Sequence, residues 1–105
     1  MGKINVIHMK GRTGRDVPNQ FIIHDCSIKY KSRTGKTITS PHGNMFQSYN
    51  SNIVFRSFSG DVFLDEHYWD YSTTTGKYHN QFLGENKVET QKKIDSGEYT
   101  LCNLN

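Results

Sequence analysis

A chain of 105 residues is long enough for one domain with one modest core, since a chain of this size buries roughly two-thirds of its unfolded surface. Hydrophobic residues make up only 33% of it and aromatics 12%, so the core must be built from a few large rings. The formal net charge is +3, no apolar run approaches the ~20 residues of a membrane span, and no signal-like stretch opens the chain, which points to a soluble intracellular protein.

Residues 4–8 have the pattern of an opening strand. Lys10-Gly11-Arg12-Thr13-Gly14-Arg15-Asp16 then forms a loop, with two glycines that let the backbone bend and three cations. Pro18 fixes the entry to a second strand over residues 20–24, expected to be central because its apolar run is continuous. Residues 27–30 alternate as a half-exposed strand does, Lys31-Ser32-Arg33-Thr34-Gly35-Lys36 is a basic turn, and Thr37-Ile38-Thr39 leads into Pro41-His42-Gly43-Asn44 as an exposed hairpin tip. Residues 45–49 and 52–58 are the next strands, with Ile53 and Phe55 expected on one face and Val54, Arg56 and Phe58 on the other.

The turn formers Ser59-Gly60-Asp61 precede Val62-Phe63-Leu64, a short strand and the second arm of a hairpin. Hydroxyls at Ser72 to Thr75 can accept from free backbone N–H groups, and Tyr78, Phe82 and Leu83 recur at helical spacing. A helix is expected over residues 74–83, stopped by Gly84. Trp69, the only tryptophan, lies between Tyr68 and Tyr71 in the bend from strand to helix, where rings can cover the end of a small core. Asn86 and Glu89 have the spacing of a capping box and start a second helix. Glu89 and Lys93 stand four apart in the favourable order, Val88 and Ile94 supply a narrow apolar seam, and Gly97 ends it. Residues 99–102 alternate as a closing strand. This order predicts a single α+β domain over residues 1–105: an antiparallel sheet of about five to seven strands with two short C-terminal helices on one side.

Chemical signatures are few. Cys26 and Cys102 fit as small buried strand residues and are expected to be free thiols. His24 and Cys26 share a strand face, but with Cys102 they fall short of four ligands at recognisable spacing, so no metal and no cofactor is expected. Gly35-Lys36-Thr37 ends like a phosphate loop, yet Tyr30 stands where the earlier glycine belongs, and Thr75-Gly76-Lys77 lacks both that glycine and the following hydroxyl. Asp65, Glu66, His67 and Asp70 are the densest titratable set, and a metal-dependent nuclease could use such carboxylates. No second acidic cluster completes a site, and Asp65 and Asp70 are equally explained as turn and cap residues. No catalytic residue is assigned.

Charge is the functional signal. Residues 1–40 carry eight cations (Lys3, Lys10, Arg12, Arg15, Lys29, Lys31, Arg33 and Lys36) against Asp16 and Asp25, a net +6, and the remainder is −3. The two basic turns, Lys10 to Arg15 and Lys29 to Lys36, are thereby candidates for contact with an anionic partner, nucleic acid being the obvious one. Solvated loop charge accounts for the same pattern.

The runs VPNQF, FQSYNS, LDEHYWDYSTTTGKYHNQFLGE and SGEYTLCNLN resemble those of small proteins encoded by phages and prophages of low-GC Gram-positive bacteria. The resemblance covers most of the chain apart from its N-terminal residues and the insert around residues 29–41, and its motifs specify no chemistry. It implies a viral accessory product acting in the bacterial host cytoplasm. Two functional classes follow. One is a non-catalytic protein that binds and modulates a host protein or nucleoprotein complex, for example as an inhibitor of a CRISPR or restriction effector. Its basic turns or the Tyr68-Trp69-Tyr71 cluster would form the contact. The other binds DNA or RNA directly through the basic turns, with Tyr30 or Tyr49 stacking on bases.

Overall fold

In the computed structural model, which describes residues 5–11, 13–31, 35–39 and 42–105, the chain runs through strands and then two helices before a last strand. The elements are β1 (Asn5–Lys10), β2 (Asp16–Cys26), β3 (Lys29–Lys31), β4 (Thr37–Thr39), β5 (Gly43–Ser48), β6 (Ser51–Ser57), β7 (Val62–Asp65), α1 (Thr73–Leu83), α2 (Lys87–Asp95) and β8 (Tyr99–Cys102). Six strands form one sheet in the order β1-β2-β5-β6-β7-β8, and β3 and β4 make a separate two-stranded ribbon. The radius of gyration, 13.3 Å, is close to the ~13 Å typical of a compact domain of this length. No described helix is long and apolar enough to cross a membrane.

The sheet is mixed, which corrects the expectation of a purely antiparallel one. Every pairing from β1 to β7 is antiparallel, but β8 lies parallel to β7, with Val62 opposite Tyr99 and Asp65 opposite Cys102. Two helices between the strands supply the long crossover that parallel neighbours require.

Register explains the core. Ile22, Phe46, Val54 and Leu64 stand side by side across four strands, as do Ile23, Met45, Phe55 and Phe63 one position along. Because strand side chains alternate, the two rows face opposite ways. The first row packs with Met9, Val62 and Tyr99 and receives Phe82 and Leu83 of α1 and Ile94 of α2. The second packs with Cys102, Leu104, Cys26 and Ile28 and includes no helical residue, so both helices cover one face as expected. Ile53 departs from the alternation. It joins the cluster of Val54 rather than that of Phe55, because the β5–β6 register slips between Phe46 and Gln47 and leaves it as a bulge. At the far end of this pair, a Cβ on Gly43 would lie 2.2 Å from the Arg56 carbonyl oxygen, so the two strands meet there only around a glycine.

Both helices start and stop on local chemistry. Ser72 Oγ accepts the Thr75 N–H at the N-terminus of α1, and Gly84, at φ 72°, ends it in the left-handed region. Its buried residues are Thr75, His79 and Phe82, with Tyr78 and Leu83 partly buried against the core, so two polar residues share the inward face. The capping box of Asn86 and Glu89 opens α2, and Gly97 follows its Ser96 cap at φ 82°. Val88 is 62% exposed and does not form the seam. Thr90 is buried in its place, its hydroxyl donating to the Asn86 carbonyl at 3.2 Å. Glu89 is engaged by the cap, and Lys93 turns instead to Glu85, 3.4 Å away. Tyr99 Oη also donates to Glu85, tying α1, α2 and β8 together. Burial, then the Glu85 carboxylate, pushes this phenol up to about 12.

Candidate functional site

In chain order β2 separates the two basic segments: residues 11–15 precede its first residue and the β3–β4 ribbon follows its last, with bulges in β2 near both ends. Lys10 forms an ion pair with Asp16, which also lowers the Asp16 carboxyl from its ordinary range through that hydrogen bond first. Arg15, Lys29 and Lys36 are exposed, with no ion pair to another described residue. Lys31 pairs with Thr37 and Tyr30 with Ile38 along the ribbon. Lys3, Ile4, Arg12, Ser32, Arg33, Thr34 and Pro41 lie outside the described residues. Tyr49 is half-exposed at the β5–β6 turn, its N–H bonded to the Asn19 carbonyl beside the start of β2.

The acidic stretch is taken up by structure. Asp65 is fully buried. Its Oδ2 accepts the N–H groups of His67 and Tyr68 at 3.1 and 3.0 Å, and its Oδ1 accepts the Leu104 N–H and the Asn105 side-chain amide at 2.9 Å each. It is a turn residue, as the sequence suggested, and it also pins the C-terminal tail. Asp70 pairs with Lys87 at 2.8 Å. Among the described residues no three His, Cys, Asp or Glu side chains come close enough to hold a metal ion, and Cys26 and Cys102 are free thiols. Burial raises both thiols, that of Cys102 to about 12, with the nearby Asp65 carboxylate adding to it.

The aromatic cluster stands beside a concavity. Trp69 is half-buried against the core, whereas Tyr68 and Tyr71 are 37% and 48% exposed and meet edge to face with centroids 5.4 Å apart. Between this bend and α1 opens a concavity of about 640 Å³, within the usual range of ligand sites. Trp69 and Tyr71 stand on one side, Lys77 and Lys87 supply charge, and Gly76 and His79 of α1 contribute to its wall.

His79 was not singled out by its sequence context. Its ring lies 5.8 Å from that of Trp69, and only 1% of the residue is exposed. Its Nδ1 lies 3.1 Å from Asn80 Oδ1, and since that oxygen can only accept, Nδ1 carries the proton. In the neutral ring Nε2 is then an acceptor, and it has no partner among the described residues. Burial depresses the imidazole below its ordinary value of 6.5 and keeps it neutral. One turn earlier the Thr75 hydroxyl meets Ser48 at 3.0 Å, and Ser48 pairs with Gln20, whose buried amide also lacks a partner. A polar seam thus runs between β2, β5 and α1. The spacing of Thr75, His79 and Phe82, at i, i+4 and i+7, was the signal that placed His79 on the inward face.

No curated protein and no solved structure matches the chain. The family model described as a family of unknown function, DUF8033, matches residues 19–98, and the chain belongs to that family.

Proposed function

We propose that this is a small non-catalytic accessory protein, of the kind phages encode, which binds and modulates a host protein or nucleoprotein complex through the surface around Tyr68, Trp69 and Tyr71. The observation that carries this reading is a pair of exposed tyrosines beside a concavity on a well-packed helix. Aromatic anchors of this kind dominate the centres of protein interfaces. The separation of the two basic turns supports it too, because a nucleic-acid groove is better served by cations along one continuous track. The surface also lies wholly within the matched span, whereas turn 11–15 precedes it.

The test is retention of a host component by the tagged chain after nuclease treatment. Tyr68→Ala with Tyr71→Ala is expected to abolish retention, and Arg15→Ala with Lys29→Ala and Lys36→Ala to preserve it. The reverse pattern favours the second reading, direct binding of DNA or RNA, which rests on the net +6 of residues 1–40.

A further inference from the structure

The two edges of the sheet differ. On β8 the side chains of Tyr99 and Cys102 are buried and Leu101 is half-buried. On β1 three successive residues, Val6, Ile7 and His8, are exposed, and among the described residues no strand pairs with the outer side of β1. Register shows what ends there. Ile7 lies opposite Ile22 and extends the row of Ile22, Phe46, Val54 and Leu64, whereas Val6 lies opposite Ile23 and extends the row of Ile23, Met45, Phe55 and Phe63. Both apolar rows of the sheet therefore run into solvent at one strand, on opposite faces.

An open edge also leaves every second backbone N–H and C=O unpaired by the sheet, which makes it a template for another strand. Charge, proline or a bulge ordinarily guards such an edge. Residues 5–9, Asn-Val-Ile-His-Met, include no Lys, Arg, Asp, Glu or Pro, while the register slip between His8 and Lys10 and the Lys10–Asp16 ion pair stand at one end. A free ladder of backbone groups with apolar side chains on both faces is a need that an extended strand meets and a helix does not.

We propose that this strand is β1 of a second copy of the chain, paired antiparallel about a two-fold axis through Ile7, so that the two sheets join edge to edge. The axis must pass through a residue, because side chains opposite each other share a face and neighbours along a strand do not. Centred on Val6, the pairing would use only residues 5–7 of β1, and centred on His8 it would set Val6 against Lys10 across the slip. Centred on Ile7, residues 5–9 pair in full. Ile7 then meets its counterpart beside Ile22 on the face that carries the helices, and Val6 meets His8 on the other, beside Phe21, whose ring lies 4.9 Å from that of His8. No two Lys, Arg, Asp or Glu residues stand opposite each other in this register, and the two-fold places the 11–15 turns of the copies at opposite ends of the joint. Identical strands are thus complementary here, as an isologous contact demands. The joint uses none of Tyr68, Trp69 and Tyr71 and does not rest on the partner reading above.

A single strand pairing buries less than the ~800 Å² per partner of a standard interface, so the dimer should be weak, with a Kd on the order of 10 μM. Sedimentation of the native full chain between about 1 and about 300 μM should therefore show the mass rising from one copy to two. Ile7→Lys sets two ammonium groups across the axis and Val6→Lys charges the flanking position. Each should raise the Kd at least about ten-fold and leave the melting temperature of the dilute chain unchanged, since both side chains are exposed already. Ile7→Cys should crosslink into a covalent dimer on mild oxidation, with the native chain as the blank for Cys26 and Cys102, because opposed Cβ atoms lie about 4.5–5.5 Å apart. Val6→Cys should not, its two copies standing on the longer diagonal. A chain that stays monomeric throughout, or a dimer that persists in both folded lysine variants, overturns the proposal, and crosslinking through Val6→Cys but not Ile7→Cys overturns its register. A monomer whose capture of a host protein is lost with Ile7→Lys assigns the edge to a foreign strand and overturns self-pairing as well. Tyr68→Ala with Tyr71→Ala should leave the dimer intact, so failure of this inference and failure of the partner reading are told apart.

Discussion

The β1–β2 hairpin and the β5–β6–β7 strands belong to one sheet but bury very different side chains. In β5, β6 and β7 the residues Met45, Phe46, Ile53, Val54, Phe55, Val62 and Leu64 are all at most 5% exposed. Among the described side chains of β1 and β2 only Met9 and the polar Gln20 reach that level, while Val6 and Ile7 of the edge strand are 58% and 46% exposed. By sequence position the cations avoid the central strands: Lys10, Arg12 and Arg15 fall around the β1–β2 turn and Lys29, Lys31, Arg33 and Lys36 in the β3–β4 segment, while β5, β6 and β7 hold one, Arg56. Charged groups avoid buried sites because desolvation costs more than exposed pairing returns, so a peripheral hairpin can carry charge that the central strands cannot. Stability and surface charge are therefore separable here, and substitutions in the two regions should have effects of different size.

The largest effect is expected at Phe46, fully buried between β2 and β6 and stacked near Phe82 with centroids 6.0 Å apart. Phe46→Ala should cost about 3–5 kcal/mol in denaturant unfolding, whereas Val6→Ala on β1 should stay within about 0.5 kcal/mol. Equal losses at both positions would erase the distinction between the regions. Gly43→Ala belongs with Phe46, since its Cβ would collide with the backbone of Arg56 and Ser57 and force β5 from β6.

Next in size are the helix ends. Asn86→Ala removes one half of a capping box and should cost about 1 kcal/mol, measured as a lower denaturation midpoint with an unchanged slope. These ends were also the most legible part of the sequence. Asn86 with Glu89, the hydroxyl run from Ser72 to Thr75, of which Ser72 is the cap, and Gly84 each act on backbone groups within a few residues, so local chemistry fixes them without reference to the rest of the chain. The strand of residues 99–102 was equally plain, but its parallel partner was not, because that pairing depends on where two helices return the chain. The bulge at Ile53 was hidden for a related reason: a register slip is a property of two strands together. The basic turns were legible as charge, but their placement at opposite ends of β2 was not. His79 was hard to see because only its spacing with Thr75 and Phe82 hinted at the inward face, and its burial without a partner is a property of the fold.

A smaller effect, confined to acid, concerns His79. Burial lowers its folded-state value below the ordinary 6.5, so the unfolded chain takes up the proton first as pH falls. The stability of neutral His79 is fully present above 6.5 and is lost progressively below it, until pH passes the depressed folded value. Melting temperature should therefore decline on acidification below about pH 6.5 in the native chain, and His79→Phe should flatten that part of the profile. A profile unchanged by the substitution would place the acid sensitivity in another group.

The smallest effect on stability should come from Arg15→Ala, Lys29→Ala and Lys36→Ala combined. All three side chains are exposed and form no ion pair with described residues, so their removal takes away no buried area and strands no partner. The unfolding midpoint should not move, and this silence makes the triple variant informative about function. If the peripheral charge serves nucleic acid, affinity for unrelated sequences should fall together, and the salt dependence should flatten by about one unit for each phosphate no longer neutralised. If the aromatic surface carries the function, the native chain should show negligible affinity for DNA or RNA at physiological salt, and the triple variant should match it in retaining its partner. Because the basic turns stand at the two ends of a long strand, binding through both would also require a ligand that spans it. Removing Lys29 and Lys36 without Arg15 should then lower the salt slope only in part, and a slope abolished entirely with one turn would mean that a single end of the sheet meets the nucleic acid.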